Sequence, residues 1–155
     1  IAHRVLSEFG VKLGVENMFT WDSVRHRNCA TGCSTPEDMI AYIDGAKSDN
    51  FVGCLDTGHM ELVHRTPADY VRKVGNRLKI LHMHENDAIG DLHQMPYTFG
   101  KKPEDGVDWQ DFSKALDEVG FDGTLSFETF PCMNSFPRGV RGEVLRTICE
   151  IGEIM

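Results

Sequence analysis

Four short apolar segments, spread along the chain, constrain its fold more than any other feature. They are rich in β-branched or aromatic residues, as buried strands are, and their sequences are VKLGVE at 11–16, FVGCLD at 51–56, LKILHMH at 78–84 and TLSFE at 124–128. Helix start signals follow at Thr35, Thr66 and Asp108, and residues 139–154 place apolar positions at helical spacing. This alternation, after an opening helix, predicts a parallel sheet with helical crossovers.

Each of the four segments ends in an ionisable residue, and the four are Glu16, Asp56, His84 and Glu128. Successive side chains of a strand point to opposite faces, so these residues share a face with every second residue before them. That face is small or polar, and its members are Gly14, Cys54, His82 and Ser126. The opposite face is almost entirely apolar. The pattern predicts a TIM (β/α)8 barrel, in which catalytic residues lie at the C-terminal ends of several strands.

Composition narrows the class of protein. The chain has 155 residues, of which 41% are hydrophobic and 26% charged, as in a globular domain with a real core. No apolar run approaches the roughly 20 residues of a membrane span. Five cysteines without a secretion signal predict reduced thiols and a cytoplasmic protein. The net charge of −8 disfavours nucleic acid as a partner.

The four ionisable strand ends predict a metal site. Three carboxylates and an imidazole that converge without a partner would be costly to bury, and a divalent cation would offset their repulsion. The ligand set is rich in oxygen, which suits Mn²⁺ first, with Mg²⁺, Co²⁺ or Zn²⁺ as alternatives. His82 and His84 compete for the imidazole position, since both fall on the inner face. We expect His84 to be the ligand because it ends its segment, and His82 to be a packed interior histidine.

Five short motifs occur in order along the chain: GVENM, LDTGH, HENDAIGDLH, GVDW and LSFET. With them the sequence resembles the sugar phosphate isomerase/epimerase superfamily of xylose isomerase-like TIM barrels, which also includes endonuclease IV-type AP endonucleases. The resemblance covers nearly all 155 residues and corresponds to the C-terminal half of the barrel, strands five to eight. It implies that residues 1–155 form a single partial barrel domain. The first residues, which lack a starting Met and look helical, lead us to expect a missing N-terminal half.

The resemblance implies roles for particular residues. The metal ligands would be Glu16, Asp56, His84 and Glu128, and the two glutamates would move the proton as catalytic residues. The substrate would be contacted by His59, Asp22, Asp91 and His93. Two positions depart from the ketose 3-epimerases of the family, which have an arginine at the place of Gly90 and a glutamate at the place of Asp22.

The leading hypothesis is therefore a divalent-metal-dependent isomerase or epimerase of a sugar or sugar phosphate, acting by proton transfer through a metal-stabilised enediolate. The first alternative is an endonuclease IV-type phosphodiester hydrolase, which would require further histidine ligands. A second alternative is a non-catalytic fragment, or a chain that completes its barrel with a partner. Half a barrel exposes two sheet edges, and such edges pair with other chains. We thus expect either self-association or a missing half.

Overall fold

The computed structural model describes residues 2–99 and 106–155, and within them the predicted alternation is present. The strands are β1 (Leu13–Glu16), β2 (Phe19–Asp22), β3 (Arg27–Ala30), β4 (Phe51–Asp56), β5 (Leu78–Met83) and β6 (Thr124–Phe127). The helices are α1 (Ala2–Phe9), α2 (Pro36–Gly45), α3 (Thr57–Leu62), α4 (Pro67–Val74), α5 (Trp109–Val119), α6 (Phe130–Ser135) and α7 (Arg141–Glu153). Short 3-10 turns at Gly75–Arg77 and Arg138–Val140 precede β5 and α7.

The four predicted segments form one sheet in the order β1-β4-β5-β6, and every pairing is parallel. Helices α2, α4 and α5 lie between successive strands in the sequence, as crossover connections require. Thr35 and Asp108 begin α2 and α5 as N-caps, because their side chains accept hydrogen bonds from the backbone N–H groups of Asp38 and Asp111. Thr66 precedes α4 without a side-chain cap bond.

The predicted division of the sheet into an apolar and a polar face is confirmed. Leu55, Leu81 and Met83 are fully buried in the hydrophobic core. The same core contains Phe112 of α5 and Tyr70 of α4, so the helices cover this face of the sheet. The opposite face carries the residues expected at the interior of a barrel. No helix among residues 2–99 and 106–155 has the length and apolar content needed to cross a membrane.

Strands β2 and β3 and helices α3 and α6 were not predicted from the sequence. Strands β2 and β3 form an antiparallel hairpin directly after β1. Helix α3 starts directly after β4, and the Asp56 side chain caps it by accepting a hydrogen bond from the His59 backbone N–H. Two helices, α3 and α4, follow β4 before the next strand of the sheet. Asp56 caps the first of them and still lies at the end of its strand.

Candidate metal centre

His82 lies at the centre of the predicted cluster. Its ring nitrogen Nδ1 is 3.3 Å from Oε1 of Glu16 and 3.3 Å from Oε1 of Glu128. The same nitrogen is 3.9 Å from Oδ2 of Asp56, whose Cα is paired with that of His82 between β4 and β5. Carboxylates carried by β1, β4 and the end of β6 therefore meet around one imidazole of β5. Three of the four predicted metal ligands are together, with His82 between them.

The electrostatics of this cluster favour a bound cation. Hydrogen bonds to Cys54 and Glu16 and the charge of Glu128 raise the pKa of His82 to about 11, although partial burial opposes this shift. The imidazole of His82 thus binds its proton more tightly in this cluster than a histidine does in water. A divalent cation bound among the same oxygen and nitrogen donors would compensate the same negative charge. The residues present therefore fit a divalent cation.

His84 lies directly after β5 and contacts Asp56. Strand β5 ends at Met83, so the alternation of faces does not continue to His84. Its Nε2 donates to the Asp56 carboxylate, 2.9 Å from Oδ1 and 3.0 Å from Oδ2, and the residue is completely buried. The choice of His84 rather than His82 as the metal ligand stays a prediction, although the described contacts bring His82 and not His84 to the two glutamates. His84 thus contacts the Asp56 carboxylate, whereas His82 contacts the carboxylates of both glutamates.

Asn17 fixes the two strands that carry Glu16 and Asp56. Its side-chain Nδ2 donates to the Asp56 carbonyl oxygen at 3.0 Å, and its Oδ1 accepts from the Asp56 N–H at 2.7 Å. Asn17 is only 1% exposed. Asn17 was not among the predicted site residues, although it directly follows the strand-end glutamate in GVENM. Asn17 locks the ends of β1 and β4 together.

The predicted substrate residues His59, Asp91 and His93 lie beside this centre. His59 donates from Nδ1 to the Asn17 carbonyl oxygen at 3.0 Å, and its Nε2 is 3.9 Å from Oδ2 of Asp91. His93 donates from Nδ1 to the Glu128 carbonyl oxygen at 2.8 Å, and its Nε2 is 3.2 Å from Oδ2 of Asp91. A backbone bridge between Glu85 and Gln94 closes the loop that carries the Asp91 and His93 pair.

Asp22 is not brought into this cluster by the contacts of the described residues. It lies at the end of β2, where its carboxylate binds the Arg25 guanidinium at 2.8 Å and caps the backbone N–H groups of Val24 and Arg25. Hydrogen bonds from Arg25 hold the pKa of Asp22 below its usual value. The hairpin does reach the site through Phe19, whose ring lies 5.0 Å from the His59 ring. Substrate contact by Asp22 stays a prediction.

Comparisons with known proteins agree with the fold. Residues 2–147 match the family model described as a xylose isomerase-like TIM barrel. An uncharacterized protein of Methanocaldococcus jannaschii is 27% identical over 128 residues, which are 81% of this chain and 39% of that protein. The D-psicose 3-epimerase of Enterocloster bolteae is 27% identical over 127 residues, which are 82% of this chain and 36% of that enzyme.

Solved structures show the same partial coverage. The D-psicose 3-epimerase of Clostridium cellulolyticum superimposes with a TM-score of 0.70 at 16% identity, over 97% of this chain and 51% of the other. A D-tagatose 3-epimerase-like protein superimposes with a TM-score of 0.64 at 23% identity, over 96% of this chain and 50% of the other. The chain thus spans about half the length of these barrels and less than that of the curated relatives.

Proposed function

Because the chain belongs to the xylose isomerase-like TIM-barrel family, we propose that it carries the metal-binding part of a barrel that isomerises or epimerises a sugar or sugar phosphate. The observation that carries the proposal is the position of His82, with its Nδ1 3.3 Å from the carboxylates of Glu16 and Glu128. The D-psicose 3-epimerase of Enterocloster bolteae, at 27% identity, supports the choice of substrate class. The fold alone would not, since one barrel fold serves many reactions.

The residues that would hold the cation are Glu16, Asp56, His82 and Glu128. When bound, the cation supplies Lewis acidity to a substrate carbonyl and its neighbouring hydroxyl, and stabilises the negative charge that develops there. In this proposal His84 orients Asp56 and is not itself a ligand. Its Nε2 lies within 3.0 Å of both carboxylate oxygens of Asp56. Hydrogen bonds of this kind fix the direction of a metal-binding carboxylate.

Glu16 and Glu128 would transfer the proton. They come from β1 and from the end of β6, the two outer strands of the four-stranded sheet, so they approach the site from opposite sides. Both side chains keep about a third of their surface exposed, at 30% and 32%, which allows contact with a substrate. One carboxylate would take the proton from carbon as a general base, and the other, acting as a carboxylic acid, would give its own proton to the same or the neighbouring carbon. Exchange of both groups with solvent would then restore the starting state.

His59 would stabilise the oxygen that becomes negatively charged. Because its Nδ1 donates to the Asn17 carbonyl oxygen, the ring is fixed with Nε2 3.9 Å from Oδ2 of Asp91. The Phe19 ring beside it provides an apolar surface for the carbon face of a sugar.

The test is turnover of a panel of ketoses and ketose phosphates before and after removal of metal by a chelator, with elemental analysis of each sample. We expect activity to disappear with the metal and to return when Mn²⁺ or Co²⁺ is added. Activity that persists in protein shown to be free of metal would contradict the proposal.

A second candidate function is metal-dependent hydrolysis of a phosphodiester. It is favoured by a second group of possible ligands, in which donor atoms of His84, Asp91 and His93 lie within 4.8 Å of one another. Two cations side by side are typical of phosphodiester hydrolases. The net charge of −8 opposes binding to DNA. Nicking of abasic DNA by the protein, without turnover of any sugar, would establish this function and exclude the first.

A further inference from the structure

Cys54 lies on the inner face of β4, beside His82. Its sulfur, a His82 ring nitrogen and a Glu16 carboxylate oxygen all lie within 4.8 Å of one another. Cys54 and Glu16 are Cα partners in the pairing of β1 with β4, so the closeness follows from the sheet register. The cysteine is only 3% exposed. A sulfur donor therefore faces the same space as the nitrogen and oxygen donors of the proposed metal centre.

The neighbouring strand leaves room for this thiol. A Cβ atom added at Gly14 would lie 3.3 Å from the Cβ of Cys54 and 2.7 Å from Cδ1 of Ile80. Any larger residue at Gly14 would therefore press against the cysteine and the strand beyond it. Cys54 is a free cysteine. A buried free thiol acts either as a small apolar side chain or as a metal ligand, and the adjacent imidazole and carboxylate favour the second role.

We propose that Cys54 is a ligand of the metal centre and gives it a preference for thiophilic divalent cations, Co²⁺ and Zn²⁺, over Mg²⁺ and Mn²⁺. This inference rests on the proposed function, because it concerns the same cation beside His82. As the bond between sulfur and metal forms, the S–H bond breaks and its proton leaves to solvent, with no change of oxidation state. The oxygen-rich set expected from the sequence alone selects Mn²⁺, and the thiolate changes that selection.

The physical reason is the softness of the donor. Thiolate ligands favour Co²⁺ and Zn²⁺, whereas sets of carboxylate oxygens suit Mg²⁺ and Mn²⁺. A Cys-His-Glu group therefore discriminates among cations that a Glu-Asp-His-Glu group would bind more evenly. Cys54 and Asp56 are two residues apart on β4 and point to the same face, so both can contribute to one centre.

The experiment is Co²⁺ binding to metal-free protein, followed by absorption spectroscopy. The wild type should develop the near-ultraviolet charge-transfer band of a thiolate bound to Co²⁺, and Cys54→Ser should lose the band while keeping the weaker visible bands of bound Co²⁺. The ratio of Co²⁺ affinity to Mn²⁺ affinity should fall by at least about tenfold in Cys54→Ser. Because that ratio compares two metals in one protein, a change in folding stability does not imitate the effect. Cys54→Ala serves as a second variant without the thiol.

The matched control is Cys149→Ser, which removes an exposed thiol of α7 and should leave the band and the affinity ratio unchanged. A charge-transfer band that survives in Cys54→Ser, or a Co²⁺ site with no band in the wild type, overturns the assignment of Cys54. In that second case the proposed function stands, since Co²⁺ is still bound by the other ligands. Failure of the wild type to bind any divalent cation overturns both.

Discussion

The Nδ1 atom of His82 lies 3.3 Å from Oε1 of Glu128, joining β5 to the end of β6 on the inner side of the sheet. Two neighbouring strands thus bring an imidazole and a carboxylate into contact. The same nitrogen is also 3.3 Å from Glu16 at the far edge of the sheet. The proposed metal centre is consequently built by residues of all four strands of the sheet rather than by one sequence motif.

His82, in β5, and His84, directly after β5, are predicted to contribute differently to metal binding. His82→Asn should weaken metal affinity by more than about a hundredfold, because it removes a proposed ligand. His84→Asn should weaken it by about 10- to 100-fold, as expected for a partner that acts through Asp56. Isothermal titration with Mn²⁺ or Co²⁺ measures both affinities. The reverse order of the two effects would restore His84 as the ligand.

Asn17→Ala is predicted to destabilise the fold and to weaken the link between the ends of β1 and β4 at the site. The change removes two hydrogen bonds and leaves the buried N–H and carbonyl of Asp56 without partners, which should lower the free energy of unfolding by about 1–3 kcal/mol. Asn50→Ala is the control, since the Asn50 side chain makes one exposed bond to the Val11 carbonyl and should cost about 0.5 kcal/mol or less. Urea denaturation distinguishes them. Equal losses in the two variants would count against the locking role of Asn17.

Gly58→Ala tests the packing behind the metal centre. A Cβ atom at Gly58 would collide with the His84 ring and lie 2.6 Å from Nδ2 of Asn86. We expect a loss of about 1–3 kcal/mol in the free energy of unfolding, as in an overpacked core, and weaker metal binding because His84 moves away from Asp56. Gly45→Ala, where the added atom meets nothing within 4 Å, should be neutral or stabilising by up to about 1 kcal/mol. Unchanged metal affinity in Gly58→Ala would show that His84 does not orient Asp56.

Arg72 connects α4 to α5 and makes part of the stability depend on pH. Its guanidinium binds Asp111 and Glu118, each with a contact of 2.6 Å, and these hydrogen bonds lower the pKa of both acids. An acid with a lowered pKa stabilises the folded state above its ordinary pKa, here 3.8 and 4.5, and loses that contribution as the pH falls through the folded-state value.

Arg72→Met should therefore lower the melting temperature at about pH 7 and have a smaller effect at about pH 2, because more of each acid is protonated as the pH falls. Lys73→Met is the matched control, because Lys73 is 60% exposed and its only described ion pair is a 3.7 Å contact with Glu37. Thermal denaturation by circular dichroism at the two pH values measures both variants. An equal drop at both pH values would mean that Arg72 acts through packing alone.

The sequence predicted the sheet and the polar inner face because alternation within a strand is a local rule. Cys54, Asp56 and His82 lie inside strands, and all three are where the alternation places them. His84 lies one residue beyond β5, where the chain has left the strand and the rule no longer applies. The choice between His82 and His84 thus depended on the exact end of the strand, which a sequence determines least well.

The elements that the sequence did not predict depend on contacts between distant residues. Strands β2 and β3 have four residues each, and the hairpin is tied to the loop after β5 through a hydrogen bond from Asn28 to the Ile89 carbonyl. Helix α3 has six residues, too few to be stable alone, and depends on its Asp56 cap and on burial of all its side chains. Neither feature has a periodicity long enough to be recognised in a sequence.

The most direct test of the account is exchange of a substrate carbon-bound proton with solvent. In D₂O, metal-loaded protein incubated with its ketose substrate should incorporate deuterium at the carbon that changes configuration or oxidation state, as followed by NMR. Glu128→Gln should abolish or strongly reduce this exchange while metal remains bound. Turnover without any deuterium incorporation, or unchanged exchange in Glu128→Gln, would contradict proton transfer by the glutamates around His82.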